Sequence, residues 1–185
     1  MIACIVLASG FGRRFGGNKL LEPVEGKPLY RHVLDQLVPL NGGDRQVLVV
    51  TQYPEVEEVA RSLGLQVCRN PDAAEGISAS IRHGVATLPE ADWYSFFVAD
   101  QPYLRGETVE RFLHQAVHSG KTLASVIAQG RPGNPTVFYH TWRRDLLALQ
   151  GDVGGRRILK AHPSEVFWYE VPPEELRDVD MPHQL

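Results

Sequence analysis

The sequence predicts an α/β fold: a mostly parallel central sheet covered by helices on both faces. Three observations predict it. Apolar, β-branched runs alternate with stretches of helical periodicity; the first run, Ile2–Ala8, is apolar throughout; and no linker, internal repeat or low-complexity segment divides the chain. A strand without a polar face is buried on both sides, and such strands alternating with helices build parallel sheets.

Ile2–Ala8 opens the sheet. In the helix that follows, Leu29, His32, Val33, Leu34 and Leu37 share one face, with Pro28 at a tolerated first-turn position and Pro39 as its stop. The next strands, Gln46–Thr51 and Leu65–Arg69, flank the helical stretch Glu55–Leu63. Ser78–Leu88 reads as a helix, Trp93–Ala99 as a strand and Glu107–His118 as a helix, followed by strands Thr122–Ala128 and Thr136–Tyr139. Gly130–Pro135, with its prolines and glycines, reads as a loop. Helices Trp142–Leu149 and Gly155–Ala161 then precede a last strand, Val166–Val171.

At 185 residues the chain can bury one core without disulfide or metal staples, and residues 1–185 are expected to form a single domain. A net charge of -3 argues against nucleic acid as a partner, since such proteins carry a basic face that displaces counterions. Ile2–Ala8 is far too short to span a bilayer and lacks the flanks of a signal peptide, so no membrane partner is expected and a cytoplasmic enzyme is the default. Cys4 and Cys68 lie in apolar strand-like runs and read as buried thiols. The histidines are scattered without a metal-binding spacing and read as structural or solvated.

The densest chemical signal follows the first strand. Residues 9–19 run Ser9-Gly10-Phe11-Gly12-Arg13-Arg14-Phe15-Gly16-Gly17-Asn18-Lys19. The glycines let the backbone turn its amides toward phosphate oxygens, and the arginines and lysine add charged donors. Two familiar phosphate motifs fail at the residue that would carry the mechanism. A dinucleotide fingerprint needs glycine where Phe15 stands, and a Walker A loop begun at Gly12 needs lysine where Asn18 stands.

In a parallel α/β sheet, ligands bind beyond the carboxyl ends of the strands. Asp100 ends the run Trp93–Ala99 and is placed to hold a hard cation such as Mg²⁺, which needs few protein ligands when phosphates and waters fill the remainder. Asp178 and Asp180, at i,i+2 spacing, would point the same way on an extended segment and are candidates for a second carboxylate. Asn70 follows the third strand, and Ser78 could cap the next helix, leaving amides for an anion or a base edge. Neither Ser9 nor Ser78 has a recognisable partner base, which argues against serine nucleophile chemistry.

Leu7-Ala8-Ser9-Gly10, Gly12-x-Arg14-x-Gly16, Lys19-Leu20-Leu21, Pro23 and Gly26-Lys27-Pro28-Leu29 together resemble the signature of the MobA-like nucleotidyltransferases. Asp100-Gln101-Pro102, Asn70 with Glu75-Gly76-x-x-x-Ser80, and Gly151-Asp152-x-Gly-x-Arg156 extend the resemblance along the chain, nearest to the molybdenum cofactor cytidylyltransferase branch. The resemblance implies a Rossmann-like three-layer sandwich that moves CMP from CTP to the terminal phosphate of molybdopterin and releases pyrophosphate. It implies nucleotide binding by Leu7, Ala8, Ser9, Gly10, Gly12, Arg14, Gly16 and Lys19, bordered by Asn70, Gly76 and Ser78. Arg14, Lys19 and Asp100 would be the catalytic residues, with Mg²⁺ on Asp100 and Asp180. The acceptor, molybdopterin or molybdenum cofactor, would meet Gly133, Asn134, Asp152 and Arg156.

Met181, His183 and Gln184 depart from the family's near-terminal pattern without touching the position of Asp180, and two departures bear on specificity. Ser9 stands where the cytidylyl branch has alanine and the guanylyl branch glycine, and Asn134 stands where the family's Gly-His-Pro step has histidine. Three alternatives therefore stay open: GTP as the donor, a sugar phosphate as the acceptor, and a non-catalytic protein that binds the cofactor for a molybdenum hydroxylase.

Overall fold

The computed structural model describes residues 1–10 and 18–179. In chain order the elements are β1 (Ile2–Ala8), β2 (Pro23–Val24), β3 (Lys27–Pro28), α1 (Leu29–Leu37), β4 (Arg45–Thr51), α2 (Pro54–Ser62), β5 (Gln66–Arg69) and α3 (Ile77–Thr87). They continue with β6 (Trp93–Val98), α4 (Gly106–His118), β7 (Leu123–Ala128), β8 (Arg131–Tyr139), α5 (Arg143–Leu147), α6 (Arg156–Ala161) and β9 (Val166–Glu170).

Seven of the strands form one sheet in the order β5-β4-β1-β6-β8-β7-β9, while β2 and β3 pair as a small separate hairpin. β1 runs parallel to β4 and β6, β4 parallel to β5, and β7 parallel to β9; β8 alone is antiparallel to its neighbours. This is the Rossmann-like α/β sandwich with a largely parallel sheet that the sequence predicts. From central β1 the chain moves outward through β4 and β5, then crosses to β6 on the other side. That reversal opens a crevice at the carboxyl end of β1, the usual ligand position in such sheets.

Period-2 alternation explains the apolar character of β1. Ile2, Cys4, Val6 and Ala8 join a core that includes α1, α2 and α4, whereas Ala3 and Ile5 join a second core formed with α3, α5 and α6. Gly84 lets α3 lie close on the sheet, because a Cβ there would come within 2.7 Å of Ile5 Cγ2.

Two expectations need correction. Gly130–Pro135 is not a loop, because β8 starts at Arg131. Gln129 and Gly130 both adopt positive φ (50° and 75°), which closes a hairpin within two residues and leaves the prolines to the strand. Between the Ile127–Pro132 and Ser125–Thr136 pairs, β8 advances four residues while β7 advances two, so Gly133–Pro135 bulge out of the ladder, where proline is tolerated. The thiols also differ from each other. Cys4 is fully buried, but Cys68 is only partly so because β5 is an edge strand.

Candidate functional site

Beyond the carboxyl ends of β1 and β6, Lys19 and Asp100 come together. Lys19 begins a single 3₁₀ turn that is capped by Asn18, whose Oδ1 accepts from Leu20 N at 3.2 Å, and anchored by buried Leu20. Its Nζ donates to Asp100 Oδ2 at 2.6 Å and to the carbonyl of Val179 at 3.0 Å. The two charged side chains keep only 14% and 20% of their exposure, so the pair is partly desolvated and its attraction weakly screened.

Asp100 owes its place to β6. Ala99 still donates to Leu7 of β1, so Asp100 is the first residue to leave the sheet, and its own carbonyl accepts from Val179 N at 3.1 Å. Its second carboxylate oxygen takes no hydrogen bond among the described residues, where no three His, Cys, Asp or Glu side chains converge. Mg²⁺ needs no such cage, only one or two carboxylates with phosphates and water, and Asp100 offers one of them. Gly12, Arg14, Gly16 and Asp180 lie outside the described residues.

The entrance to the glycine-rich loop is pinned from β4. Ser9 Oγ donates to Val50 O at 3.1 Å and Thr51 Oγ1 to Ala8 O at 2.9 Å. Gln52 Nε2 donates to Ser9 O and Tyr53 Oη to Gly10 O, both at 2.7 Å. Leu7 and Ala8 direct their side chains into the two cores, and Ser9 turns its hydroxyl into the sheet. Burial pushes the Tyr53 phenol up from its ordinary value. Gln52 and Tyr53 were not singled out from sequence, although they follow β4 as Ser9 follows β1.

A second cluster forms at the start of α3. Ser78 does not cap this helix: its hydroxyl is buried and accepts from Arg82 Nη1 at 3.1 Å. The helix amides are instead taken across the fold, Ile77 N by Asp152 Oδ1 at 3.4 Å and Ser78 N by Gly151 O at 3.3 Å. Gly76 is required at this contact. Its φ is +99°, and a Cβ would sit 2.7 Å from Gly151 O. Asn70 is also turned inward, donating from Nδ2 to Ser80 Oγ at 2.9 Å and accepting from Asp72 N at 3.0 Å. The structure thus joins Gly76, Ser78 and Asp152, but spends on protein contacts the amides expected to face a ligand.

The remaining expected acceptor residues gather at the β8 bulge. Arg156 Nη2 donates to Pro132 O at 3.0 Å, and Ser125 Oγ to Gly133 O at 2.9 Å. Gly133 is buried so closely that a Cβ would lie 2.7 Å from Leu176 Cδ1, while Asn134 is half-buried. Leu176 in turn belongs to the segment that carries Val179 to Lys19, which links the bulge to the Lys19–Asp100 pair.

Residues 4–166 match the profile of the MobA-like NTP transferase domain. The chain is 33% identical over 140 residues to the bifunctional protein GlmU of Bifidobacterium longum (strain NCC 2705), a match that takes in 71% of this chain but only 30% of that protein. It is 28% identical over 177 residues to the molybdenum cofactor guanylyltransferase of Shewanella sediminis, covering 91% of this chain and 80% of that protein. Among solved structures, a nucleotidyl transferase from Methanothermobacter thermautotroptrophicus superposes with a TM-score of 0.79 at 24% identity, over 98% of this chain and 92% of that one, which supports the fold. Among the described residues no helix is long and apolar enough to cross a membrane.

Proposed function

This chain belongs to the MobA-like NTP transferase family, a family of nucleotidyl transfer, and from that premise we propose that it moves a nucleoside monophosphate onto the terminal phosphate of molybdopterin. The observation that carries the proposal is the Lys19–Asp100 pair held at the mouth of the crevice by Val179.

An acceptor phosphate is already an anionic nucleophile, so the transfer needs neither a covalent intermediate nor a strong protein base. An acceptor oxygen attacks the α-phosphorus in line, the bond to the β-phosphate breaks, and pyrophosphate leaves with the negative charge. Lys19 would stabilise that charge as it shifts toward the leaving group. Ser9 and Gly10, fixed by Val50, Gln52 and Tyr53, set the start of the loop that would cradle the β and γ phosphates through Gly12, Arg14 and Gly16. Mg²⁺, held by Asp100 with Asp180, would supply the neutralisation of phosphate charge. Asp152, Arg156, Gly133 and Asn134 form the proposed acceptor side.

The relatives named as molybdenum cofactor guanylyltransferases support GTP as the donor. CTP is the second reading, because the Asp100-Gln101-Pro102 and Gly151-to-Arg156 segments resemble the cytidylyl branch. Ser9, with its hydroxyl committed to Val50, matches the loop residue of neither branch. The product would serve a molybdenum enzyme, with a molybdenum hydroxylase as the partner under the cytidylyl reading. Pyrophosphate release across CTP, GTP, UTP and ATP, each with purified molybdopterin and Mg²⁺, tests the proposal. Release with GTP supports it, release with CTP alone transfers the assignment to the second reading, and tight pterin binding without any release leaves a binding protein.

A further inference from the structure

We infer that Arg105 and Glu175 are positioning residues for the Lys19–Asp100 site, their clasp setting the register of the segment that delivers Val179 to it.

Glu175 is a carboxylate with 1% exposure, flanked by exposed Glu174 and half-buried Leu176. It accepts from the Arg105 backbone N at 3.2 Å, from Arg105 Nε at 2.8 Å and Nη2 at 2.6 Å, and from Thr108 Oγ1 at 3.0 Å. These bonds hold the Arg105 guanidinium above its ordinary pKa. Burying a carboxylate is costly even when it is paired, and an apolar side chain would dock the segment at less expense. What the clasp adds is direction: the Arg105 guanidinium converges on Oε1 through Nε and Nη2 while the Arg105 amide holds Oε2, so both carboxylate oxygens are fixed in one orientation.

The contacts beyond the clasp run broadly in the opposite direction along the partner segment, with Leu176 reaching past Tyr103 to Gln101. Glu175 meets Arg105, Arg177 lies 4.1 Å over the ring of Tyr103, and Leu176 O accepts from Gln101 Nε2 at 3.5 Å. Val179 then meets Asp100 through its N–H and Lys19 through its carbonyl. Residues 175–179 therefore lie broadly antiparallel to residues 100–105, fixed at one end by Glu175 and reaching the site at the other. A slip of one residue would take Val179 away from both Lys19 and Asp100. Neither Arg105 nor Glu175 contacts that pair directly, so they act through the segment between them.

The inference rests on the proposed transfer for its activity arm, while its structural arm stands alone. The variant is Glu175→Gln, which keeps the shape and removes the charge, with exposed Glu110→Gln of α4 as the control. Loss of a partner that orients a site typically costs about 10- to 100-fold in metal affinity or activity. Glu175→Gln is therefore expected to raise half-saturating Mg²⁺ for pyrophosphate release and to weaken Mn²⁺ binding with GTP, read by electron paramagnetic resonance, by such a factor. It is also expected to lower hydrogen-exchange protection of the Val179 amide, with Glu110→Gln unchanged in all three measurements. A lower melting temperature with wild-type metal dependence and wild-type exchange at Val179 would overturn the inference. If the wild-type protein turns over none of the four nucleotides, the transfer proposal fails, and the exchange measurement alone then decides the clasp: lost protection supports it and retained protection overturns it. Should Glu175→Gln not fold, Thr108→Val removes one of the four donors and is read in the same way.

Discussion

Lys19 and Asp100, 81 residues apart in sequence, meet at 2.6 Å where β1 and β6 end. The sheet register brings them together. Leu7 of β1 pairs with Val98 of β6, so the chain segments that follow the two strands leave the sheet side by side. Val179 O, also bonded to Lys19 Nζ, completes the junction from the other end of the chain.

Lys19→Met keeps the packing of the stem and removes the charge. If Lys19 stabilises the leaving pyrophosphate, kcat for pyrophosphate release is expected to fall about 10²- to 10³-fold, the loss typical of a charge-stabilising donor. Steady-state kinetics at saturating nucleotide and Mg²⁺ checks this.

Tyr53→Phe deletes the donor to Gly10 O. The bond shapes the loop entrance before and after the reaction, so its loss weakens ground-state and transition-state binding alike. A neutral hydrogen bond contributes about 1 kcal/mol net, so the KM for nucleotide is expected to rise about fivefold with kcat nearly unchanged.

Both the fold and the site were partly legible in the sequence, and the reasons for success and failure are physical. Ile2–Ala8 announced a doubly buried strand because each of its faces meets a separate core. Asp100 was recognisable because a carboxylate just after an apolar strand falls at the crevice of a parallel sheet. The start of β8 was missed because Pro132 and Pro135 signal a break, and only the register shows that a bulge accommodates proline there. Ser78 resembled a helix cap, but the cap comes from Asp152, whose Oδ1 accepts the Ile77 amide across 75 residues, a contact no local pattern encodes. Glu175 sits among surface-like residues, and its burial depends on Arg105 and Thr108 from another element.

Gly84→Ala tests how tightly α3 lies on the sheet. The added methyl would meet Ile5 Cγ2 at 2.7 Å in a core with little room to yield. Overpacking of this kind costs roughly 1–3 kcal/mol, which is expected to appear as a lower urea midpoint with an unchanged slope.

Cys4 supplies a pH dependence of stability. Burial is the main cause that pushes its thiol from 9.0 up to about 12. A thiol whose folded pKa lies above its unfolded value adds stability that is complete below about pH 9 and is lost as pH rises toward 12. Across that window the loss is about 1.4 kcal/mol per pH unit. Cys4→Ala should show a correspondingly flatter alkaline stability curve, and the wild-type thiol should resist alkylation by iodoacetamide until the protein unfolds.

The most direct test of the account is pyrophosphate release by Asp100→Ala beside the wild-type protein, with Mg²⁺, molybdopterin and the donor that the nucleotide panel selects. Circular dichroism on the same samples reports the fold. The account predicts release by the wild type, a native spectrum for the variant and no release above background. Turnover retained by a correctly folded Asp100→Ala protein would contradict it.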